Sequence, residues 1–178
     1  MNYKTMILDQ IAIKRSLVRI THEIIEKNKG AKDICLLGVK SRGVPLAKRL
    51  KENILMFEGV DVPLGVLDIT KHRDDISIEQ KMNVTSECEI PCDLTDKTVI
   101  IVDDVLFTGR TARAALEAVF TYARPKSIQL AVLIDRGHRE LPLKPDYVGK
   151  NVPTSGDEEI KVLVNEVDKE EAVYILEK

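Results

Sequence analysis

From residue 9 to residue 29 apolar residues return at helical spacing. Ile13, Leu17, Ile20 and Ile24 share one stripe, with polar and charged residues between them. Asp9 stands where a helix wants its N-cap and Gly30 where it stops. The period then changes. "ICLLGV" (34–39) is an unbroken apolar run, as expected of a strand covered on both faces. "GVPLAKRLKENILMFEG" (43–59) returns to the helical rhythm, with Pro45 in its first turn, where a missing N–H costs nothing. "VPLGVLDI" (62–69), "TVIIV" (98–102) and "SIQLAVLI" (127–134) read as further strands, the last two joined by a helix over 110–123.

Apolar strands alternating with helices predict an α/β fold, a parallel β-sheet flanked by helices with right-handed crossovers. In such sheets ligands sit beyond the strand C-termini. The segments leaving the predicted strands are "KSRG" (40–43), "DITKHRDD" (68–75), "DDVLFTGRT" (103–111) and "DRGHRE" (135–140), all charged or glycine-containing and all at that edge. Residues 71–97 are polar without an evident core pattern, which predicts a flexible lid over the site. From residue 137 Pro142, Pro145 and Pro153 interrupt any helix, and "IKVLVNEV" and the C-terminus read as short strands. We therefore expect a single domain over 1–178, with a core over about 30–136 and a small cap over about 137–178 near the N-terminal helix.

Charge and cysteine content narrow the setting. A net charge of −2 supplies no general positive field, so any nucleic-acid contact has to come from a local basic patch. "MNYKTMILDQ" has no long apolar core and no apolar run reaches membrane-spanning length, so a cytoplasmic location is expected. Cys35 reads as core. Cys88 and Cys92 read as ordinary reduced thiols, since no second Cys/His pair accompanies them.

The densest chemistry lies in "TVIIVDDVLFTGRTARAAL" (98–116). Gly109 lets the chain turn tightly, and a helix starts just after it, so free N–H groups face outward, with the hydroxyls of Thr108 and Thr111 beside them. Phosphate is the natural occupant. The spacing is neither a Walker A motif nor a dinucleotide fingerprint, because residue 104 is Asp and residue 110 is Arg. Asp103 and Asp104 would repel a phosphate beside them but accept hydrogen bonds from a diol. Diol and phosphate together describe a ribose 5-phosphate. Taken without a ligand, the same residues make an acidic strand end and an ordinary helix start.

"VIIVDDVLFTGRTARAA" resembles the phosphoribosyl-pyrophosphate (PRPP) loop of the type I phosphoribosyltransferases. The resemblance implies that Asp103 and Asp104 hold the ribose hydroxyls and that Thr108, Gly109, Arg110, Thr111 and Ala112 cradle the 5-phosphate, with Val105, Leu106 and Phe107 completing the loop. "VKSRG" (39–43) resembles the family's pyrophosphate loop, which often contains a non-proline cis peptide. That implies diphosphate binding by Lys40, Ser41, Arg42 and Gly43, with Arg73 of the lid as a further candidate. Asp103, Asp104 and Arg42 become the candidate catalytic residues. Mg²⁺ is expected with PRPP, bound through PRPP oxygens and not directly by the protein.

Hypoxanthine-guanine members usually carry an Asp near the purine within this loop, where this chain has Phe107, so a pyrimidine is favoured. Over its whole length, through "ILDQIAIKRSLVRITHEIIEKNKG", "GVKSRGVPLAKRL", "DITKHRDD" and "SIQLAVLIDRGHRELPLKPDYVGKNVPTS", the chain is similar to the bifunctional pyrimidine-operon attenuation regulators that are also uracil phosphoribosyltransferases. This implies UMP formation from uracil and PRPP, UMP-responsive binding of pyrimidine-operon mRNA, a base site near Arg136 and Val148, and a homodimer or higher homo-oligomer. For RNA the candidates are Arg15, Arg19, His22 and Lys27 on the first helix, with Lys14 nearby, and His138, Arg139, Lys144 and Lys150 in the tail. If the tail packs beside the first helix they form one patch able to hold phosphates and a splayed loop. A regulator without catalysis and a purine phosphoribosyltransferase are the alternatives.

Overall fold

The first helix begins where Asp9 caps it, its Oδ1 accepting from the Ala12 N–H at 2.8 Å, and its apolar stripe (Ile13, Leu17, Ile20, Ile24) is completely covered. A computed structural model describes residues 2–83 and 88–177. In chain order its elements are β1 (Asn2–Asp9), α1 (Gln10–Lys27), β2 (Ile34–Val39), α2 (Gly43–Glu58), β3 (Leu64–Leu67), a 3-10 turn (Thr70–His72), α3 (Ile78–Met82) and β4 (Thr98–Leu106). After these come α4 (Arg110–Tyr122), β5 (Ser127–Asp135), β6 (Tyr147–Asn151), β7 (Glu158–Leu163), α5 (Asn165–Asp168) and β8 (Ala172–Glu177).

The main sheet runs β3-β2-β4-β5-β6 and is parallel throughout. Its strands alternate their side chains between two cores. Ile34, Leu36, Ile100, Val102 and Leu133 meet α1 and α2, while Cys35, Leu37, Val99 and Ile101 meet the alanine-rich face of α4. Burial on both faces explains why β2 and the start of β4 are continuous apolar runs. A second, antiparallel sheet, β1-β8-β7, packs at one end of the domain.

The structure departs from the sequence expectations in several places. β4 does not end at residue 102; its ladder with β5 continues through Asp103↔Val132 to Leu106↔Asp135, so both carboxylates sit inside a strand. The sheet does not end at residue 136 either. Tyr147–Asn151 forms its fifth strand, and little in "YVGKN" announces a strand until β5 supplies its partner. The cap draws on both chain ends, because β1 pairs with β8 more than 160 residues away, as in Leu8↔Val173.

The expected lid over 71–97 is divided. Residues 84–87 lie outside the described residues. Beyond them Glu89 and Val66 exchange backbone bonds of 2.8 and 3.0 Å, and Leu94 is completely buried against the α4 side of the sheet, with Cys88, Ile90 and Cys92 packed beside it. Those positions alternate with polar residues, a half-buried pattern hidden by the prevailing polarity. Only the part before it, with the exposed helix α3, stands clear of the core.

Candidate functional site

The C-terminal ends of β2, β3 and β4 surround a cavity of about 440 Å³. From β2 come Lys40, Ser41 and Arg42; from the end of β3, Asp68, Thr70 and Arg73; from β4 and the start of α4, Asp103, Asp104, Val105 and Thr111. Strand order explains the meeting: β2 lies between β3 and β4, so their loops open side by side.

Each loop is shaped by local chemistry. The Lys40–Ser41 peptide is cis, in the loop where the family resemblance implied one. Gly43 then lies flush against β4: a Cβ there would meet the Val102 carbonyl oxygen at 2.3 Å. In the third loop Gly109 adopts φ +94°, the left-handed turn that a glycine accommodates, and α4 starts at Arg110. The first N–H groups of α4 therefore have no helical acceptors of their own.

Asp103 and Asp104 are half-buried, with their oxygens held by backbone N–H groups: Asp104 N–H donates to Asp103 Oδ1 at 2.9 Å and Val105 N–H to Asp104 Oδ1 at 2.7 Å. Burial pushes the Asp103 carboxyl well above the ordinary range, the adjacent Asp104 charge adds to this, and the Asp104 N–H opposes it. Asp104 is also raised by burial, against the pull of the Val105 N–H and of Arg42. Two acids without a bound donor are costly at this position, which suits a site built around hydroxyl donors or a cation.

The other predicted residues divide between the cavity and the scaffold. Arg73 lines the cavity while pairing with Asp75 through Nε at 2.8 Å. Arg110 turns its guanidinium outward to Asp74 and Glu140, so of Arg110 only the backbone N–H is left to the loop. Leu106 and Ala112 are buried, packing with Val132. Val148, expected beside a base, is partly buried and packs against that same cluster, because strand alternation in β6 turns it toward α4. Phe107 is 37% exposed and Arg136 is buried beneath it, its guanidinium 3.8 Å from the ring centre and fixed by Thr154 Oγ1 (3.1 Å) and the Glu158 carbonyl (2.7 Å). His138 meets the same ring edge-on at 5.9 Å.

A second concavity, of about 830 Å³, runs along the exposed side of α1 past Lys14, Arg15, Arg19 and His22. His22 stacks on Phe57 at 4.5 Å. Arg19 donates to the Gly149 carbonyl at 2.5 Å and Lys27 pairs with Asp146 at 2.5 Å, so α1 does adjoin the tail through β6. The tail's own basic residues do not complete one patch. Arg139 is a brace, donating to Asp135 Oδ2 (2.6 Å), the Leu143 carbonyl (3.0 Å) and the Phe107 carbonyl (2.9 Å). His138 meets the Thr154 carbonyl at 2.6 Å. Lys144 borders a cleft with Ala112 and Leu116 of α4, across the sheet from α1. Lys150 is exposed on β6, on the strand side shared with Val148. The single-patch expectation fails because β6 separates these groups between the two faces of the sheet.

Sequence reasoning missed Asp68, whose carboxylate accepts from Lys40 at 3.3 Å and from Thr70. It also missed Asp168, which binds Arg42 through two hydrogen bonds. The loop segment beginning at Asp68 was the available signal for the first. The second has no local signal. Cys35 is sealed in the core, where burial pushes its thiol up to about 12, and the cysteines are free.

The family model described as phosphoribosyl transferase domain matches residues 4–167. The bifunctional protein PyrR of Clostridium novyi (strain NT) is 57% identical over 178 residues, covering all of both chains. That of Bacillus pumilus (strain SAFR-032) is 55% identical over 180 residues, again covering both chains fully. Among solved structures, a hypoxanthine-guanine phosphoribosyltransferase from Bacillus anthracis superimposes with a TM-score of 0.72 over 98% of each chain at 19% identity. The hypoxanthine phosphoribosyltransferase of Trypanosoma cruzi gives 0.73 over 98% of this chain and 97% of its own, also at 19% identity. These structural likenesses establish the fold, and the sequence matches establish the lineage: the chain belongs to the phosphoribosyltransferase family, among the proteins named bifunctional protein PyrR.

Proposed function

We propose that this protein transfers the phosphoribosyl group of PRPP to uracil, giving UMP and pyrophosphate, and that it binds pyrimidine-operon mRNA in a UMP-responsive way to regulate transcription attenuation. The observation that carries the enzymatic half is the juxtaposition of Asp103 and Asp104 with the Lys40–Arg42 loop in one cavity, beside the start of α4. Asp103 and Asp104 accept from the ribose 2- and 3-hydroxyls. The N–H groups of Gly109 to Ala112 and the Thr108 and Thr111 hydroxyls take the 5-phosphate. Lys40, Ser41, Arg42 and Gly43, with Arg73, face the diphosphate.

In the reaction the anomeric C–O bond to pyrophosphate breaks and a bond to uracil N1 forms through an oxocarbenium-like transition state, while the N1 proton passes to an oxygen of the departing pyrophosphate. Arg42 and Lys40 stabilise negative charge growing on the leaving group. Movement of the exposed segment around α3 would shut out water, which could otherwise attack PRPP. Among the described residues no group of three or more His, Cys, Asp or Glu could hold a metal alone. The cavity, with Asp68, Asp103 and Asp104 set against Lys40, Arg42 and Arg73, suits Mg²⁺ carried on PRPP oxygens, where it would offset diphosphate charge.

For the base, Phe107 and Arg136 offer a ring and a buried cation but no proton acceptor, which favours a pyrimidine over a purine. A base panel tests this. With PRPP and Mg²⁺, pyrophosphate release is expected with uracil and not with hypoxanthine, guanine, adenine or orotate. Turnover of hypoxanthine or guanine would make it a purine enzyme, and release with no base would leave a nucleotide-sensing regulator.

The regulatory half centres on the exposed side of α1, with Arg15, Arg19, His22 and Lys27 as the leading contacts and Lys150, Lys144 and His138 as outer ones. Replacing Arg15 and His22 together by Ala is expected to weaken leader-RNA binding about tenfold or more and to flatten its salt dependence, with uracil turnover retained. Unchanged RNA titrations would move the interface elsewhere. No helix of the described residues is long and apolar enough to cross a membrane, and we place the protein in the cytoplasm. Exposed Ile11, Leu55, Met56 and Phe57 favour assembly as a homodimer or larger homo-oligomer.

A further inference from the structure

Arg42 does not hang free over the cavity. Its Nε donates to Asp168 Oδ2 at 3.0 Å and its Nη2 to Asp168 Oδ1 at 2.7 Å, a fork-on-carboxylate pair. Asp168 stands 126 residues downstream, at the end of α5 in the small-sheet region, with its side chain only 14% exposed. That carboxylate is itself fixed, because Oδ2 also accepts from the Val164 N–H at 2.9 Å. The segment carrying it is fastened to α2 a second time. Arg49 donates to Glu166 at 2.9 Å and to Glu171 at 2.5 Å on either side of Asp168 in sequence.

Arg42 is thus held from two directions. Its backbone is pinned where Gly43 meets Val102, and its guanidinium is pinned by a carboxylate at the end of α5. The pair occupies the Nε and Nη2 edge and leaves the Nη1 amino group outside it. A free arginine surrenders much rotamer freedom when it meets a ligand, whereas one already clamped does not.

We propose that Asp168 is a positioning residue for phosphoribosyl transfer: it clamps one edge of Arg42 so that the Nη1 amino group is presented to the leaving diphosphate. This rests on the reading of the cavity as a PRPP site. Asp168 could instead be a competitor that diphosphate must displace. Its anchorage to the Val164 N–H and the amino group left over on Arg42 favour clamp and ligand being held together.

The test measures KM for PRPP, KM for uracil and pyrophosphate affinity by calorimetry, in full-length wild-type, Asp168→Asn, Asp168→Glu, Arg42→Ala and the Asp168→Asn/Arg42→Ala double variant. Asp168→Asn is expected to raise the PRPP KM and the pyrophosphate Kd about tenfold or more and to leave the uracil KM in place. Asp168→Glu should recover part of that loss. In the Arg42→Ala background Asp168→Asn should cost nothing further, a coupling that a merely structural acid would not show. Unchanged or tighter pyrophosphate binding by Asp168→Asn overturns the proposal, as does a loss that persists undiminished without Arg42. Should Asp168→Asn fail to fold, Asp168→Glu decides by the same comparison: a loss absent in the Arg42→Ala background supports the clamp, and wild-type affinity overturns it. Wild-type protein that neither binds pyrophosphate nor turns over any base would remove the active-site reading itself, and the clamp with it. Wild-type turnover beside an indifferent Asp168 removes the clamp alone.

Discussion

An Asp103→Asn/Asp104→Asn protein is expected to lose PRPP-dependent pyrophosphate release by a factor of roughly 10² to 10⁴ while melting at a higher temperature than the wild type. The first half follows from what amides cannot do. Each carboxylate offers hydroxyl donors a charged acceptor worth roughly 1.5–3 kcal/mol, and losing two such bonds from the transition state gives that range. The second half follows from the cost of leaving both acids half-buried beside each other. Burial raises both groups, and the Asp104 charge raises Asp103 further. A carboxyl whose folded-state pKa lies above its unfolded value contributes stability at low pH, where both states are protonated at that group, and the contribution is lost as pH rises through the folded value. The wild type therefore sheds stability above the ordinary carboxylate range of ~4, and the diamide, which does not ionise, does not. Thermal unfolding should show the two proteins close at about pH 4 and the diamide ahead by roughly 2–4 °C near neutrality, the shift for ~1 kcal/mol in a domain of this size. A diamide that melts below the wild type at neutral pH would mean that the backbone donors to these carboxylates outweigh their burial.

The same pair of residues shows how far the chain could be read without coordinates. Chemistry written in consecutive residues was legible: Asp9 capping α1, the acids ahead of Gly109, the short loop after β2. Their convergence was legible too, because a parallel sheet sends every strand's C-terminal loop to one edge. Distant partners were not. β1 and β6 become strands through pairing, with β8 and β5 respectively, and their own residues say little. Arg139 looked like a free cation until Asp135, Leu143 and Phe107 supplied its acceptors. The stretch from Cys88 to Leu94 is different: its alternation was present in the sequence, but strong polarity around it masked a buried anchor.

Gly43→Ala is expected to destabilise the protein by about 2 kcal/mol or more and to abolish pyrophosphate binding. Helix propensity alone argues the reverse, since alanine is favoured over glycine inside a helix by ~1 kcal/mol and Gly43 begins α2. The packing term is larger and of opposite sign. The added Cβ would lie 2.3 Å from the Val102 carbonyl oxygen and 3.3 Å from the Asp103 Cα, both backbone atoms of β4 that no rotamer change can move. Relief requires lifting the start of α2 or bending β4, and overpacking of that kind costs roughly 1–3 kcal/mol, at times more. Gly156→Ala is the matched control: exposed, with nothing within 4 Å of the added atom, it should melt like the wild type. Thermal unfolding and pyrophosphate calorimetry on the two variants separate the terms. A Gly43→Ala protein more stable than wild type would show that propensity outweighs the contact. A stable one that still binds pyrophosphate would show that the loop tolerates displacement from β4. The expected loss of both follows because one contact sets two things, the seating of α2 on the sheet and the distance from the Lys40–Arg42 loop to Asp103.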